Sequence, residues 1–122
     1  MLPTLSARRA SSTMAAIAMA ATAMTLSLDP YIVDSLLPDL VGHDRQPSAF
    51  LVYLALWRLT HGVGAATTQV ALGDIAEATG LSKRSVQSAL GWLARRKLIE
   101  VARATVTAVP VYTVMRPWRR HH

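Results

Sequence analysis

Four stretches of the chain place apolar residues at helical spacing, and two short stretches near its end are rich in β-branched residues. The first helical stretch is Tyr31 to Val41, which Asp29 can cap and which Pro38 interrupts. The second, Phe50 to Leu59, is apolar on nearly every side, as in the central helix of a small domain. The pattern therefore predicts a short or kinked helix followed by a buried one.

The other two helical stretches lie close together, and the β-type pattern follows them. Gln69 to Thr79 is predicted to form a helix that ends at Gly80, and the next helix runs over residues 82–97. The two β-type segments, Leu98 to Val101 and Val109 to Met115, are predicted to form a hairpin. The expected fold is mainly α: a three-helix core, a two-stranded hairpin and an extra N-terminal helix.

The chain divides into three parts on this pattern: residues 1–28, 29–46 and 47–122. The first part is rich in Ala and Ser and is interpreted as a disordered or frayed extension. Arg8-Arg9 before an Ala-rich stretch, with Ala21-Thr22-Ala23 after it, has the outline of a secretory signal. Because that stretch is short and only weakly apolar, we expect neither export nor a membrane span.

Composition bears on chemistry more than on fold. The 122 residues suit one domain, and the absence of cysteine excludes disulfides and thiol catalysis. The carboxylates are few and scattered, so no catalytic residue, no cofactor and no enzymatic activity are expected. The four histidines show no ligand spacing, and the sequence predicts no metal site.

Charge is unevenly distributed along the chain. Of the formal net charge of +6, residues 83–122 contribute +8, with nine basic residues against Glu100, whereas residues 29–82 contribute −4. A basic balance of this kind favours an anionic partner such as nucleic acid. We therefore expect the last forty residues to carry the contact with that partner.

The segment from Leu72 to Leu90 has the features of a helix-turn-helix. Ala76 is small where a second helix must cross, Gly80 suits the positive φ of a tight turn, and Ser82 can cap the second helix. The buried stripe of that helix is predicted to consist of Val86, Ala89, Leu90 and Leu93. Its opposite face carries basic and amide side chains, which suit contacts with base edges in the major groove.

These residues, with Ile75, Leu81 and the Leu98-Ile99 start of a hairpin, resemble a bacterial winged helix-turn-helix domain. The resemblance is to MarR- and GntR-type regulators and to the winged-helix domains of plasmid replication initiators. It covers about Pro47 to Arg116 and implies a recognition helix over 82–97 and a β-wing from Leu98 to Met115. The chain departs from the family pattern at the uncapped Ala71, at Gly73, and at Gly91-Trp92, where such helices often carry Arg or Lys. Trp92 is expected to pack against the wing.

The candidate DNA contacts follow from this arrangement. Lys83 and Arg84 lie in the first helical turn, where the positive helix end disfavours cations unless an external anion is present. The wing tip is expected to contact the DNA backbone, and Arg116, Arg119 and Arg120 to form a flexible phosphate-binding arm or a solubilising tail. The complete predicted set is Ser82, Lys83, Arg84, Ser85, Gln87, Ser88, Arg95, Arg103, Thr105, Thr107 and Arg116.

The sequence thus favours a cytoplasmic, nucleoid-associated protein that binds double-stranded DNA and regulates transcription in a bacterium. The alternatives are a DNA-binding module of plasmid replication or partition, and a protein-interaction module that keeps the fold without binding DNA. Residues 30–41 could form a homodimer interface, which would suit half-sites about one helical turn apart. They could equally cap the core of a monomer.

Overall fold

The computed structural model describes residues 25–119, and every structural statement below concerns that part of the chain. Most of the Ala-rich extension, Arg120 and the His121-His122 pair lie outside the described residues. In chain order the elements are an N-terminal helical segment, helix α1 (Pro47–Leu59), strand β1 (Thr67–Gln69), helices α2 (Leu72–Thr79) and α3 (Lys83–Arg95), and strands β2 (Ile99–Ala102) and β3 (Val111–Val114). A short 3₁₀ turn, His61–Val63, follows α1.

The N-terminal segment is wound as a π-helix in two stretches, Ile32–Leu36 and Pro38–His43. The helical winding continues past Pro38 to His43, so the prediction that Pro38 shortens this helix is wrong. Proline has no N–H to donate, and its ring crowds the carbonyl four residues earlier in an α-helix. A wider turn, with hydrogen bonds between residues five apart, relieves this crowding, as in the Asp44 N–H bond to the Asp39 carbonyl at 2.8 Å.

The apolar face of this segment is covered by the rest of the same chain. Ile32 and Leu40 are fully buried, and Leu36 is 3 % exposed. They belong to the cluster formed by α1, α3 and the sheet. The observed packing corresponds to the alternative in which the segment caps the core of its own chain.

Helix α1 is the central helix, as its apolar pattern predicted. Pro47 occupies its first turn, and seven of its side chains are buried, including Tyr53 and Trp57. The Tyr53 hydroxyl donates to the Met115 carbonyl at 2.8 Å, and burial raises the pKa of this tyrosine. The Trp57 indole donates to the Ser27 carbonyl at 2.8 Å. Both rings are core residues, as expected for a helix that is apolar on nearly every side.

The sheet has three antiparallel strands in the order β1-β3-β2, so the prediction of two strands is incomplete. Thr67–Gln69, predicted to lie in a loop and at the start of a helix, pairs instead with Val111–Thr113 of β3. As a result α2 begins at Leu72 rather than at Gln69. Tyr112 and Val114 of β3 point into the core, while residues 103–109 form the mostly exposed loop between β2 and β3.

With three core helices and a small sheet, the fold is mainly α and has the architecture of a winged helix-turn-helix. The wing consists of β2, β3 and the loop between them. None of the helices within residues 25–119 is long and apolar enough to cross a membrane.

Candidate nucleic-acid interface

The turn between α2 and α3 has the glycine conformation and the serine cap that the sequence predicted. Gly80 has a φ of +77°, and its N–H donates to the Ala76 carbonyl at 2.9 Å, which ends α2. Ser82 is the N-cap of α3, with its hydroxyl oxygen accepting the Ser85 N–H at 3.1 Å. The N-cap of α2 is Ala71, which has no side-chain oxygen to offer, as the sequence indicated.

Helix α3 buries one stripe and exposes the other. The predicted stripe of Val86, Ala89, Leu90 and Leu93 is at most 8 % exposed at every position. The opposite side of the helix is therefore turned to solvent, and the helix contains no acidic residue. Its exposed polar side chains are Lys83, Arg84, Gln87, Ser88 and Arg95.

Ser82 and Ser85, two of the predicted site residues, form hydrogen bonds that stabilise the start of α3. The Ser82 hydroxyl donates to Ser85 Oγ at 3.1 Å as well as capping the helix, and Ser85 is half-buried. Lys83 extends over the first turn of α2, where a β carbon added to Gly73 would lie 3.5 Å from Lys83 Cε. Ser82 and Ser85 thus fix the direction in which the first basic side chains of α3 leave the helix.

A groove of about 390 Å³ separates α3 from the wing. Gln87, Gly91 and Ala94 line it on the helix side, and Val101 and Arg103 line it on the wing side. The Arg103 guanidinium donates to the Val106 carbonyl at 3.3 Å, so this side chain is oriented by the wing loop. The exposed face of α3 and the wing arginine therefore meet at one surface.

The wing tip carries Thr105 and Thr107, both of which are exposed. Arg103 is the basic side chain nearest to them in sequence, and it lies at the base of the same loop. The tip itself therefore offers hydroxyl and backbone groups, which suit contacts with a nucleic-acid backbone rather than with specific base edges.

Trp92 does not pack against the wing, contrary to the prediction. Its indole donates to Asp44 Oδ2 at 2.8 Å, so the ring lies against the turn that follows the N-terminal segment. The Arg95 guanidinium is 5.3 Å from the centre of the Trp92 ring, within range of a cation–π contact. The physical reason is that the Asp44 carboxylate, which is nearly buried, offers a strong acceptor on that side.

Asp44 is the centre of an ion-pair network that the sequence analysis missed. Arg96 contacts the carboxylates of both Asp39 and Asp44, with 3.2 Å between Arg96 Nε and Asp44 Oδ2. His43 donates to Asp44 Oδ1 at 2.8 Å. The hydrogen bonds from His43 and Trp92, aided by the charge of Arg96, hold the pKa of Asp44 below its usual value.

Asp39, His43 and Asp44 also bring potential metal-ligand atoms within 4.8 Å of one another. Arg96 donates a hydrogen bond to the Asp39 carboxylate and forms an ion pair with that of Asp44. A metal ion would have to compete with that guanidinium, so the cluster is explained by its ion pairs.

The C-terminal tail is docked against the other end of the N-terminal segment. Trp118 stacks on Tyr31 with ring centres 4.7 Å apart, and its indole donates to Asp29 Oδ2 at 3.0 Å. Arg119 forms a two-pronged pair with Asp29, at 2.6 and 2.8 Å, which lowers the pKa of that carboxyl. Arg116 is also close enough to Asp29 to lower its pKa. Through residue 119, the flexible phosphate-binding arm is therefore not observed.

The positive charge of residues 83–122 is thus divided in the structure between side chains that pair with aspartates and side chains that remain exposed on α3 and the wing. Arg96 and Arg119 pair with aspartates of the acidic N-terminal part, so part of the positive charge of residues 83–122 is neutralised within the chain. The excess of acids in residues 29–82 was the signal that could have indicated these pairs. Of the predicted site residues, the structure brings together those of α3 and the wing and places Arg116 apart, beside Asp29.

Residues 46–99 match the model of a protein family described as a helix-turn-helix domain. Comparisons with curated proteins and with solved structures gave no match. The matched range covers α1, α2 and α3 and ends at the first residue of β2. The family match and the geometry agree on the same three helices, and this part of the chain is similar to a helix-turn-helix domain.

Proposed function

We propose that this protein binds double-stranded DNA in a sequence-specific manner and acts as a small bacterial transcriptional regulator. Helix α3 would lie in the major groove, with Gln87 and Ser88 facing the bases and Lys83 and Arg84 at base edges and phosphates. The observation that carries the proposal is the exposed, acid-free face of α3, which adjoins Arg103 of the wing across one groove.

Phosphate contacts would come from basic side chains that are not engaged in ion pairs in the described structure. In α3, in the turn after it and in the wing, these are Lys83, Arg84, Arg95, Lys97 and Arg103. Arg96 and Arg119 would contribute little, because breaking their pairs with aspartates offsets a new contact with phosphate. Each neutralised phosphate lowers the slope of log affinity against log salt by about 0.9, so five contacts predict a slope of about −4 to −5.

The experiment is a titration of a labelled random duplex at several salt concentrations with the full chain and three variants. Lys83→Glu and Arg84→Glu should each weaken binding at least tenfold and reduce the slope by about one. Arg45→Glu is the matched control, since it changes the charge equally in the turn before α1 and should alter affinity much less. Equal losses in all three variants would mean that net charge, not the face of α3, governs binding.

Sequence preference is the second part of the test. A duplex selected from the random pool should bind at least a hundredfold more tightly than the pool itself. Gln87→Ala should then relax the preference at one base pair, because a bidentate amide contact discriminates by about 1–3 kcal/mol. Absence of binding at 50 mM salt would refute DNA binding and favour the protein-interaction alternative.

Residues 30–41 are proposed to complete the core of a single chain rather than to form a homodimer. Their apolar face is buried internally, and a dimer would have to use exposed residues such as Val33 and Val41, which are 49 % and 37 % exposed. Analytical ultracentrifugation should give a monomer at micromolar concentration. A dimer that Val33→Glu dissociates would overturn this proposal and restore the interface expected from the sequence.

A further inference from the structure

Gly91 lies in the middle of α3, on the helix side of the groove that faces the wing. Glycine is among the least favourable residues in a helix interior, because its backbone loses the most conformational freedom. Its φ is not positive, so the local backbone would accept any L-residue. Glycine at this position therefore lowers the stability of α3, and the backbone conformation of Gly91 does not require it.

Packing within the chain does not explain it either. A β carbon added to Gly91 would have a single close neighbour, Arg95 Nη1 at 3.8 Å, which is an ordinary contact with the end of a flexible side chain. Gly62 is different, since a β carbon there would lie 2.9 Å from Leu26 Cδ1 and 3.2 Å from the Trp57 carbonyl. Gly80 is required by its positive φ. Gly91 meets neither condition.

The surroundings of Gly91 indicate what could need the space. Gln87 lies one helical turn before it and Arg95 one turn after it, and Arg103 faces it from the wing. Among the described residues that line the groove, none is acidic. The groove is thus open, with mostly apolar walls on which Gln87 and Arg103 are placed opposite each other, and it adjoins the exposed face of α3. An apolar wall with a donor and a cation suits the sugar and the phosphate of a nucleic-acid strand.

We infer that Gly91 is the position at which one strand of bound DNA comes into van der Waals contact with the backbone of α3. The inference rests on the proposed function and adds a specific positioning residue to it. A side chain at this position would hold the strand away from the helix and move Gln87 and Arg103 out of reach of their partners. The absence of a side chain therefore serves binding at the expense of helix stability.

The test measures stability and DNA affinity of the same variants. Gly91→Ala should raise Tm by about 4–8 °C, because alanine is the better helix former, and yet bind duplex DNA at least threefold more weakly. Gly91→Leu should bind at least tenfold more weakly. Both should reduce the magnitude of the salt slope by at most about one, because Arg103 is the one phosphate contact that the added side chain would displace. Gly42→Ala is the control, since a β carbon there also meets nothing within 4 Å and the residue lies outside the groove. It should leave affinity unchanged.

The outcomes separate this inference from the function on which it rests. If the wild-type chain binds DNA and both Gly91 variants bind with wild-type affinity, the close approach is wrong and the proposed function stands. If the wild-type chain binds no duplex, the proposed function and the inference about Gly91 are both wrong. Circular dichroism confirms folding of each variant, and Gly91→Ala keeps the test valid if leucine disturbs the helix.

Discussion

Removal of the Asp44 carboxylate tests whether the N-terminal segment holds α3 in place. This side chain is only 5 % exposed, accepts hydrogen bonds from Trp92 and His43, and forms an ion pair with Arg96. Asp44→Ala removes the carboxylate, so the half-buried indole N–H of Trp92 loses its hydrogen-bond acceptor. Asp44→Asn keeps an oxygen for Trp92 and removes only the charge.

The magnitude follows from the individual contacts. A hydrogen bond to a charged acceptor contributes about 1.5–3 kcal/mol, and the bond from Trp92 is of this kind. The pair with Arg96, which is 35 % exposed, adds about 0.5–1 kcal/mol, and that with His43, 80 % exposed, adds little. We therefore expect Asp44→Ala to lower the free energy of unfolding by about 2–4 kcal/mol and Asp44→Asn by about half as much.

The assay is urea unfolding followed by tryptophan fluorescence, with a thermal melt alongside it. Asp34→Ala is the control, because Asp34 is an exposed aspartate of the same segment and should change stability by less than about 0.5 kcal/mol. A loss in Asp44→Ala no larger than that of the control would refute the reasoning. The segment would then be attached by its apolar side chains alone.

The same residue gives a pH dependence with a definite sign. The pKa of Asp44 is lower in the folded chain than in the unfolded one, so its contribution is present above the unfolded value of about 3.9 and is lost as the pH falls through the folded value. The difference in stability between the wild type and Asp44→Asn should therefore be constant near pH 7 and shrink below about pH 4. A difference that grows on acidification would contradict this assignment.

Two further predictions concern the helix ends of the helix-turn-helix. Ala71→Ser should raise the free energy of unfolding by about 1 kcal/mol, because α2 begins without a side-chain cap. Thermal melts measure this gain in stability. If Ala71→Ser is no more stable than an Ala71→Val control, the prediction is contradicted. Gly80→Ala should lower stability by about 1 kcal/mol through its φ of +77° alone, since nothing lies within 4 Å of the added carbon. Gly80→Asn should lower stability less than Gly80→Ala does, because asparagine tolerates a positive φ better. Equal losses of stability in the two variants would indicate a steric clash instead of backbone strain.

Local signals in the sequence were sufficient for the helix-turn-helix. The 3.6-residue repeat of Val86, Ala89, Leu90 and Leu93 identified the buried stripe of α3, and hence its exposed face. Gly80 and Ser82 marked the turn and the cap because each meets a requirement of its own backbone. The apolar pattern of α1 likewise identified the central helix. These features depend on residues within a few positions of one another.

Non-local contacts decided what the sequence analysis missed or misplaced. Strand β1 is only three residues long and exists because it pairs with β3, more than forty residues later. The hydrogen bond of Trp92 to Asp44 spans 48 residues, and those of the tail to Asp29 span up to 90.

A local pattern shows that a residue is aromatic or charged, but not which distant partner is brought close enough to satisfy it. The sequence by itself therefore determined the helix-turn-helix arrangement and the face of α3 that is exposed. Only the tertiary structure decided that the acidic N-terminal part neutralises Arg96 and Arg119, because ion pairs form where packing brings opposite charges together, whatever their separation along the chain.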